Sequence, residues 1–220
     1  MCESRLLCKA WRLLIGETLF FLLMGLPAHY LDREDVSERQ MRLRTIAAAV
    51  ADVSEQATCS GTFDRADCQA VWPETALNLG TLLIVQAYAE SRLARNVHEG
   101  NCRDFECDPI RVARTGEVKH RARTLWQIHH IKAVDEEWDR MVGVDFESTR
   151  AAAWAATKIL SRGYRACGSF AGAISRYAGI DGCRWSEAER RGKLVERLGE
   201  RGRQWERERA PTREGHASTR

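Results

Sequence analysis

The chain has 220 residues, room for one domain of ordinary size with appendages and too little for a multi-domain machine. At 44% hydrophobic and 30% charged, with 16 Gly and 4 Pro, it can bury a core, and it is not a disordered, collagen-like or many-spanning membrane chain. A formal net charge of +3 excludes wholesale coating of nucleic acid, so any basic patch is local.

At the amino terminus Arg5, Lys9 and Arg12 precede an apolar run from Leu13 to Leu26, and Pro27 and Ala28 follow. That order outlines a secretory signal. Glu17 interrupts the run, Leu26 is large for a cleavage site after Ala28, and the run falls short of the roughly 20 apolar residues of a membrane span. Three readings follow, in this order: an export signal, a weak anchor that later releases, and an apolar helix packed on the domain. From Val36 to Ala57 the residues Leu43, Ile46, Val50 and Val53 recur near helical spacing with Ser37 placed as a cap, which predicts an amphipathic helix. A polar loop, CSGTFDRADC, separates it from a second helix that starts near Trp72, Pro73 and Glu74 and carries Leu77, Leu79, Leu82, Leu83 and Val85 on a wide apolar face. A helix apolar on so many sides belongs at the centre of the core, and this one ends in the acid Glu90.

Residues 95 to 123 are polar, carry Gly100, Pro109 and Gly116, and show no sustained period. They read as a long ordered excursion, a kind of segment that is usually functional. Helical patterns resume over Leu125 to Asp139, Ser148 to Gly163 and Phe170 to Tyr177, with Gly163, Gly168 and Gly179 as stops. No strand of normal length is predicted. From residue 187 the chain is dense in Arg and Glu, the pattern of a solvated helix held by i,i+4 pairs and fraying at its end. The expected organisation is an apolar segment over 1–35, an all-α domain over 36–185 and a charged extension over 186–220.

Eight cysteines include three close-spaced pairs, Cys59 with Cys68, Cys102 with Cys107 and Cys167 with Cys183, besides Cys2 and Cys8. An even set reads as disulfides in an exported protein and as thiols or ligands otherwise. Zinc is disfavoured because no second knuckle accompanies Cys102 and Cys107. The histidines His98, His120, His129 and His130 lack a metal-site spacing and are expected at the surface or a cleft rim. No cofactor and no metal are expected. Neither a nucleophile elbow nor a phosphate-binding glycine loop occurs.

Glu90 is the first candidate for chemistry, since a carboxyl half-buried against apolar neighbours can keep a proton for a leaving group. The run LGTLLIVQAYAESRL that contains it resembles the first motif of the lytic transglycosylases and goose-type lysozymes, in which a buried helix closes on Glu-Ser. ARTLWQIHH looks like their second motif, Gly-Leu-Met-Gln-Ile, with Thr124 in place of the glycine. AAAWAATKILSRGY is similar to the alanine-rich third, and AISRYAGIDGC to the fourth, Ala-Tyr-Asn-Ala-Gly, with Ala178 where Asn is usual.

The resemblance covers residues 73 to 180 and implies an all-α, lysozyme-like domain with a substrate cleft. It implies that Glu90 is the catalytic acid and then base, with Ser91, Gln127 and Tyr177 as substrate-binding residues. The implied enzyme is a lytic transglycosylase acting on the bond between muramoyl and glucosaminyl residues of peptidoglycan, exported or phage-associated, and a monomer. Such an enzyme can work with one carboxylate. A hydrolysing lysozyme normally uses two, and Glu99, Asp104, Glu106 and Asp108 are the acids of the excursion that could supply the second. From another class, the domain could be a wall-binding module that does not cut. The Arg-rich tail adds a candidate contact with anionic wall polymers or a membrane surface, and no nucleic acid is expected.

Overall fold

The computed structural model describes residues 5–27, 34–58 and 72–209, with side chains in the first segment from Arg12 onward. The Cys59–Cys68 pair, Cys2 and the side chain of Cys8 lie outside what is described. In chain order come α1 (Arg5–Met24), α2 (Val36–Thr58), α3 (Ala76–Ser91), α4 (Arg95–His98), β1 (Pro109–Arg111), β2 (Val118–His120), β3 (Ala122–Arg123), β4 (Ile128–His129), a 3-10 turn over Lys132–Val134, α5 (Asp135–Trp138), α6 (Phe146–Cys167), α7 (Phe170–Tyr177) and α8 (Ser186–Arg209). The domain is mostly helical, in line with the all-α expectation.

α3 is the central element, as its wide apolar face requires. Eleven of its residues, from Ala76 to Ala87, are buried, and α1, α2, α6 and α8 all lie against it. It starts later than Pro73: Thr75 is the cap, its hydroxyl accepting from Asn78 N at 3.3 Å. The apolar amino-terminal run forms α1, the packed-helix alternative among the three readings, with Ile15, Leu19, Leu22 and Leu23 in the core. A Cβ on Gly80 would stand 2.8 Å from Leu19 Cδ1, so α3 has a notch that admits α1. Arg12 ties α1 to Asp52 and Glu55 of α2, each at 2.7 Å, and Arg150 of α6 joins Asp52 at 2.6 Å. Among the described residues no helix is long and apolar enough to cross a membrane.

The excursion is ordered by short pieces. β1 pairs antiparallel with β2 and β3 with β4, in strands of two or three residues that leave no alternation to read in sequence. A Cys102–Cys107 disulfide clips its first part. The helix expected from Leu125 does not form there: Thr124 and Gln127 take left-handed φ of 68° and 50°, which close a turn and lead into β4. Helical backbone begins only at Lys132.

α6 places Ala152, Ala153, Ala155 and Ala156 in the core, small side chains that let it approach α2 and α7 closely. Gly163 does not stop it. The helix continues to Cys167, and Gly168, at φ 68°, closes it. Gly163 instead gives clearance to α7, since a Cβ there would meet Ala173 O and Arg176 Cβ at 2.9 Å. A second disulfide, Cys167–Cys183, spans α7 and fixes the approach to α8.

The charged carboxyl-terminal stretch is a helix, as expected, and one side of it is buried. Ala188, Gly192, Val195, Gly199 and Gly202 recur at spacings of four and three and form that side with Leu198. α8 thereby lies on α3, α7 and α1, with Gly192 over Ala171 and Gly202 over Thr18 and Leu77.

Candidate functional site

Glu90 sits in the last turn of α3, its side chain 24% exposed. The chain leaves the helix through two successive left-handed residues, Arg92 and Leu93, at φ 54° and 57°. Their turn is held locally, because Ser91 Oγ donates to Ala87 O at 2.8 Å and accepts from Leu93 N at 3.2 Å. It is held from outside by buried Arg42, which donates to Leu93 O at 3.0 Å and pairs with Glu34 at 2.7 Å. Ser91 therefore braces the helix end and does not line the cleft.

Oε1 of Glu90 accepts from Gln86 Nε2 at 2.7 Å and from Arg191 Nη1 at 2.8 Å. Oε2 accepts from nothing among the described residues. Gln86 is fully buried one turn earlier on α3, so it fixes the carboxyl rotamer. Arg191 comes from α8 and is shared with Glu187 at 3.2 Å, while Trp185 lies 5.7 Å from its guanidinium.

A cleft of about 620 Å³ opens beside this carboxyl, bounded by Glu90, Asp108, Gln127, Tyr177, Trp185 and Arg191 among others. Gln127 reaches it from the turn before β4, its amide donating back to Thr124 O at 3.2 Å and lying 3.5 Å from Cys107 Sγ. Tyr177 reaches it from the end of α7. Its hydroxyl donates to Trp126 O at 2.5 Å, which fastens the Thr124–Gln127 turn to α7. Burial, and then the charge of Glu90, push that hydroxyl well above its usual range, so it remains a neutral donor. Trp126 itself is a core residue, fully buried, with its ring nitrogen donating to Leu83 O at 2.9 Å.

No family model, curated protein or solved structure matches this chain. The site is therefore judged on its own geometry. Of the four candidate residues, Glu90, Gln127 and Tyr177 meet at one cleft although 37 and 50 positions separate them in the chain, and Ser91 supports Glu90 from behind.

Sequence reading missed two cleft residues: Arg191, because its segment reads as a solvated tail, and Trp185, the last residue before that tail. The available signal was the stripe of small residues that turns α8 inward. Of the four excursion acids weighed as a second carboxylate only Asp108 lines the cleft, paired with Arg121 at 2.8 Å and with His129 at 3.5 Å. Glu99 pairs with Arg95 and Glu106 with Arg103, and Asp104 is exposed. His120 and His130 are exposed and His129 lies at the cleft rim, but His98 is a correction to the surface expectation. It is buried, bonded through Nε2 to Thr149 Oγ1 at 2.8 Å, with Nδ1 unpartnered. Among the described residues no group of three or more His, Cys, Asp or Glu is placed to hold a metal. A second depression of about 610 Å³ lies beside α5 and α6, where Lys158 pairs with Glu137 at 2.8 Å and Arg150 with Asp52 at 2.6 Å, while Glu137 Oε2 is buried without a partner.

Proposed function

We propose that the chain is a lysozyme-like enzyme that cleaves peptidoglycan glycan strands between muramoyl and glucosaminyl residues as a lytic transglycosylase, exported or phage-associated. The observation that carries this reading is the convergence of the motif residues Glu90, Gln127 and Tyr177 on one cleft. Two cysteine pairs joined as disulfides agree with an oxidising compartment.

In this reading Oε1 is the anchored oxygen and Oε2 exchanges the proton. Glu90, taking up a proton on Oε2 while Oε1 stays on Arg191, donates that proton to the glycosidic oxygen as that bond breaks. The N-acetyl group of the muramoyl residue stabilises the oxocarbenium-like carbon, and the carboxylate then removes the proton of the 6-hydroxyl as the anhydro ring closes. Gln86 keeps the rotamer fixed during both transfers, a preorganisation that avoids spending binding energy on orientation. Trp185 offers a flat apolar face for a sugar ring.

Hydrolysis is the second reading, favoured by Asp108 on the same cleft, since a carboxylate there can orient a water. The test is mass analysis of fragments released from purified peptidoglycan by the wild type and by Glu90→Gln. Anhydro ends that vanish with the variant support a transglycosylase, and reducing ends support a lysozyme. Binding without cleavage by the wild type leaves a wall-binding module.

A further inference from the structure

Away from the cleft, the outer side of α1 and its two neighbours combines exposed apolar side chains with arginines that lie on aromatic rings. Leu13 is 70% exposed and Met41, on α2, is 63% exposed, and Phe21 and Met24 of α1 are exposed too. Isolated apolar side chains on a surface need no explanation, but these follow one helix and its partner. Phe21 stacks on Trp205 of α8 at 5.8 Å between ring centres. Cations surround the rings: Arg44 lies 4.1 Å from the Phe20 ring, Arg209 4.5 Å from Trp205 and Arg201 5.9 Å from Phe21. Arg197, Arg201, Trp205 and Arg209 recur every fourth residue along α8 and so share one edge of it.

The carboxylates of the same region are engaged. Glu17 pairs with Arg44 at 3.0 Å, Glu206 is drawn to Thr18 at 3.3 Å, and Glu208 accepts from Gln204 at 2.8 Å. Between α1 and α2 a groove of about 330 Å³, floored by Gly16, Ala47, Ala48 and Ala51, runs beside Leu13 and Phe20 with Arg12 and Arg44 at its rim.

We propose that this α1–α8 face docks the protein on the surface of an anionic lipid bilayer. Guanidinium groups whose stems lie on aromatic rings suit the headgroup level, where a Trp is also at home, while exposed Leu and Met enter the acyl boundary. The pattern selects lipid over a wall polymer or nucleic acid. A polyanion satisfies the arginines but offers no apolar phase to Leu13, Met24 and Met41. It also selects lying on the membrane over crossing it, since α1 is too polar to span and its other side is already in the core. Each cation near such a surface and each apolar side chain entering it adds to the partition constant.

The test is co-sedimentation of the full, oxidised chain with vesicles of phosphatidylcholine alone and of phosphatidylcholine mixed with phosphatidylglycerol. The expected result is binding to the mixed vesicles, little to the neutral ones, and a partition constant reduced about tenfold by either of two double substitutions, Leu13→Ser with Met24→Ser or Arg201→Gln with Arg209→Gln. All four positions are exposed, and unchanged circular dichroism and melting verify that both variants fold. Failure of the wild type to sediment with mixed vesicles overturns the proposal. So does unchanged partition of the Leu13→Ser, Met24→Ser protein, which assigns the face to polyanions, and so does a dimer in light scattering that either pair dissociates.

Discussion

At the scale of single residues the site is organised by side chains that hold one another. Glu90 is fixed by Gln86 and Arg191, Ser91 holds the turn behind it, and Tyr177 holds the turn that carries Gln127. Thr124 is left-handed at φ 68°, a conformation that glycine adopts freely and that is costly for a β-branched residue. Its hydroxyl offsets part of that cost by accepting from Trp126 N at 3.3 Å. His98 yields a prediction about pH. Burial first, and then the charge of Arg42, push its imidazole down from 6.5 to about 3. The unfolded chain binds that proton near 6.5 and the folded chain does not, so His98 contributes no loss above about pH 6.5. Stability then falls as the pH drops toward 3, by at most roughly 1.4 kcal/mol per pH unit from this one group. Urea midpoints of the wild type and His98→Gln are expected to diverge progressively below pH 6.5, the variant falling less. Parallel curves down to pH 4 would contradict the buried, neutral ring.

At the scale of elements, glycine and alanine decide how closely helices approach. Gly163 shows this against the grain of helix propensity. Alanine favours a helix over glycine by about 1 kcal/mol, yet a Cβ at this site meets Ala173 O and Arg176 Cβ of α7 at 2.9 Å. Gly163→Ala is therefore expected to lower stability by about 1–3 kcal/mol, a fall of several degrees in melting temperature. A raised melting temperature would show that the contact yields freely. This explains what was legible and what was not. α2, α3, α6 and α7 were readable because their buried faces are written in apolar or alanine residues at helical spacing. Gly163 was misread as a stop because a glycine that clears a neighbour and one that ends a helix look alike until the neighbour is placed. The Leu125–Asp139 pattern failed because apolar spacing carries no information about the left-handed residues Thr124 and Gln127 that break it.

At the scale of the whole molecule, the central fact is that both ends of the described chain complete the domain. α1 fills a notch in α3, and α8 covers α3 and α7 while supplying Arg191 to the cleft beside Trp185, the residue that precedes α8. Composition alone suggested appendages, because the side of α8 that faces inward is made of Ala188, Gly192, Val195, Gly199 and Gly202 amid arginines and glutamates. The half of the site borne by α3, the Gln127 turn and α7 was thus legible, and the half borne by α8 was not. Ending the chain after Trp185 exposes core side chains along α3 and α7 and is expected to cost more than about 4 kcal/mol, enough to abolish cooperative melting. A truncated protein that melts cooperatively near the wild-type temperature would make α8 an appendage after all.

We propose that the carboxyl of Glu90, anchored at one oxygen and open at the other, is the acid that breaks a glycan strand. Mass analysis of muropeptides released from purified peptidoglycan, with Arg191→Gln and Glu90→Gln beside the wild type, tests it most directly. Anhydro-muropeptides are expected from the wild type, at least 100-fold less from Glu90→Gln by the usual weight of a positioned acid, and an intermediate yield from Arg191→Gln. Equal release by the wild type and Glu90→Gln, or none from the wild type under conditions where a control enzyme digests the same wall, would contradict it.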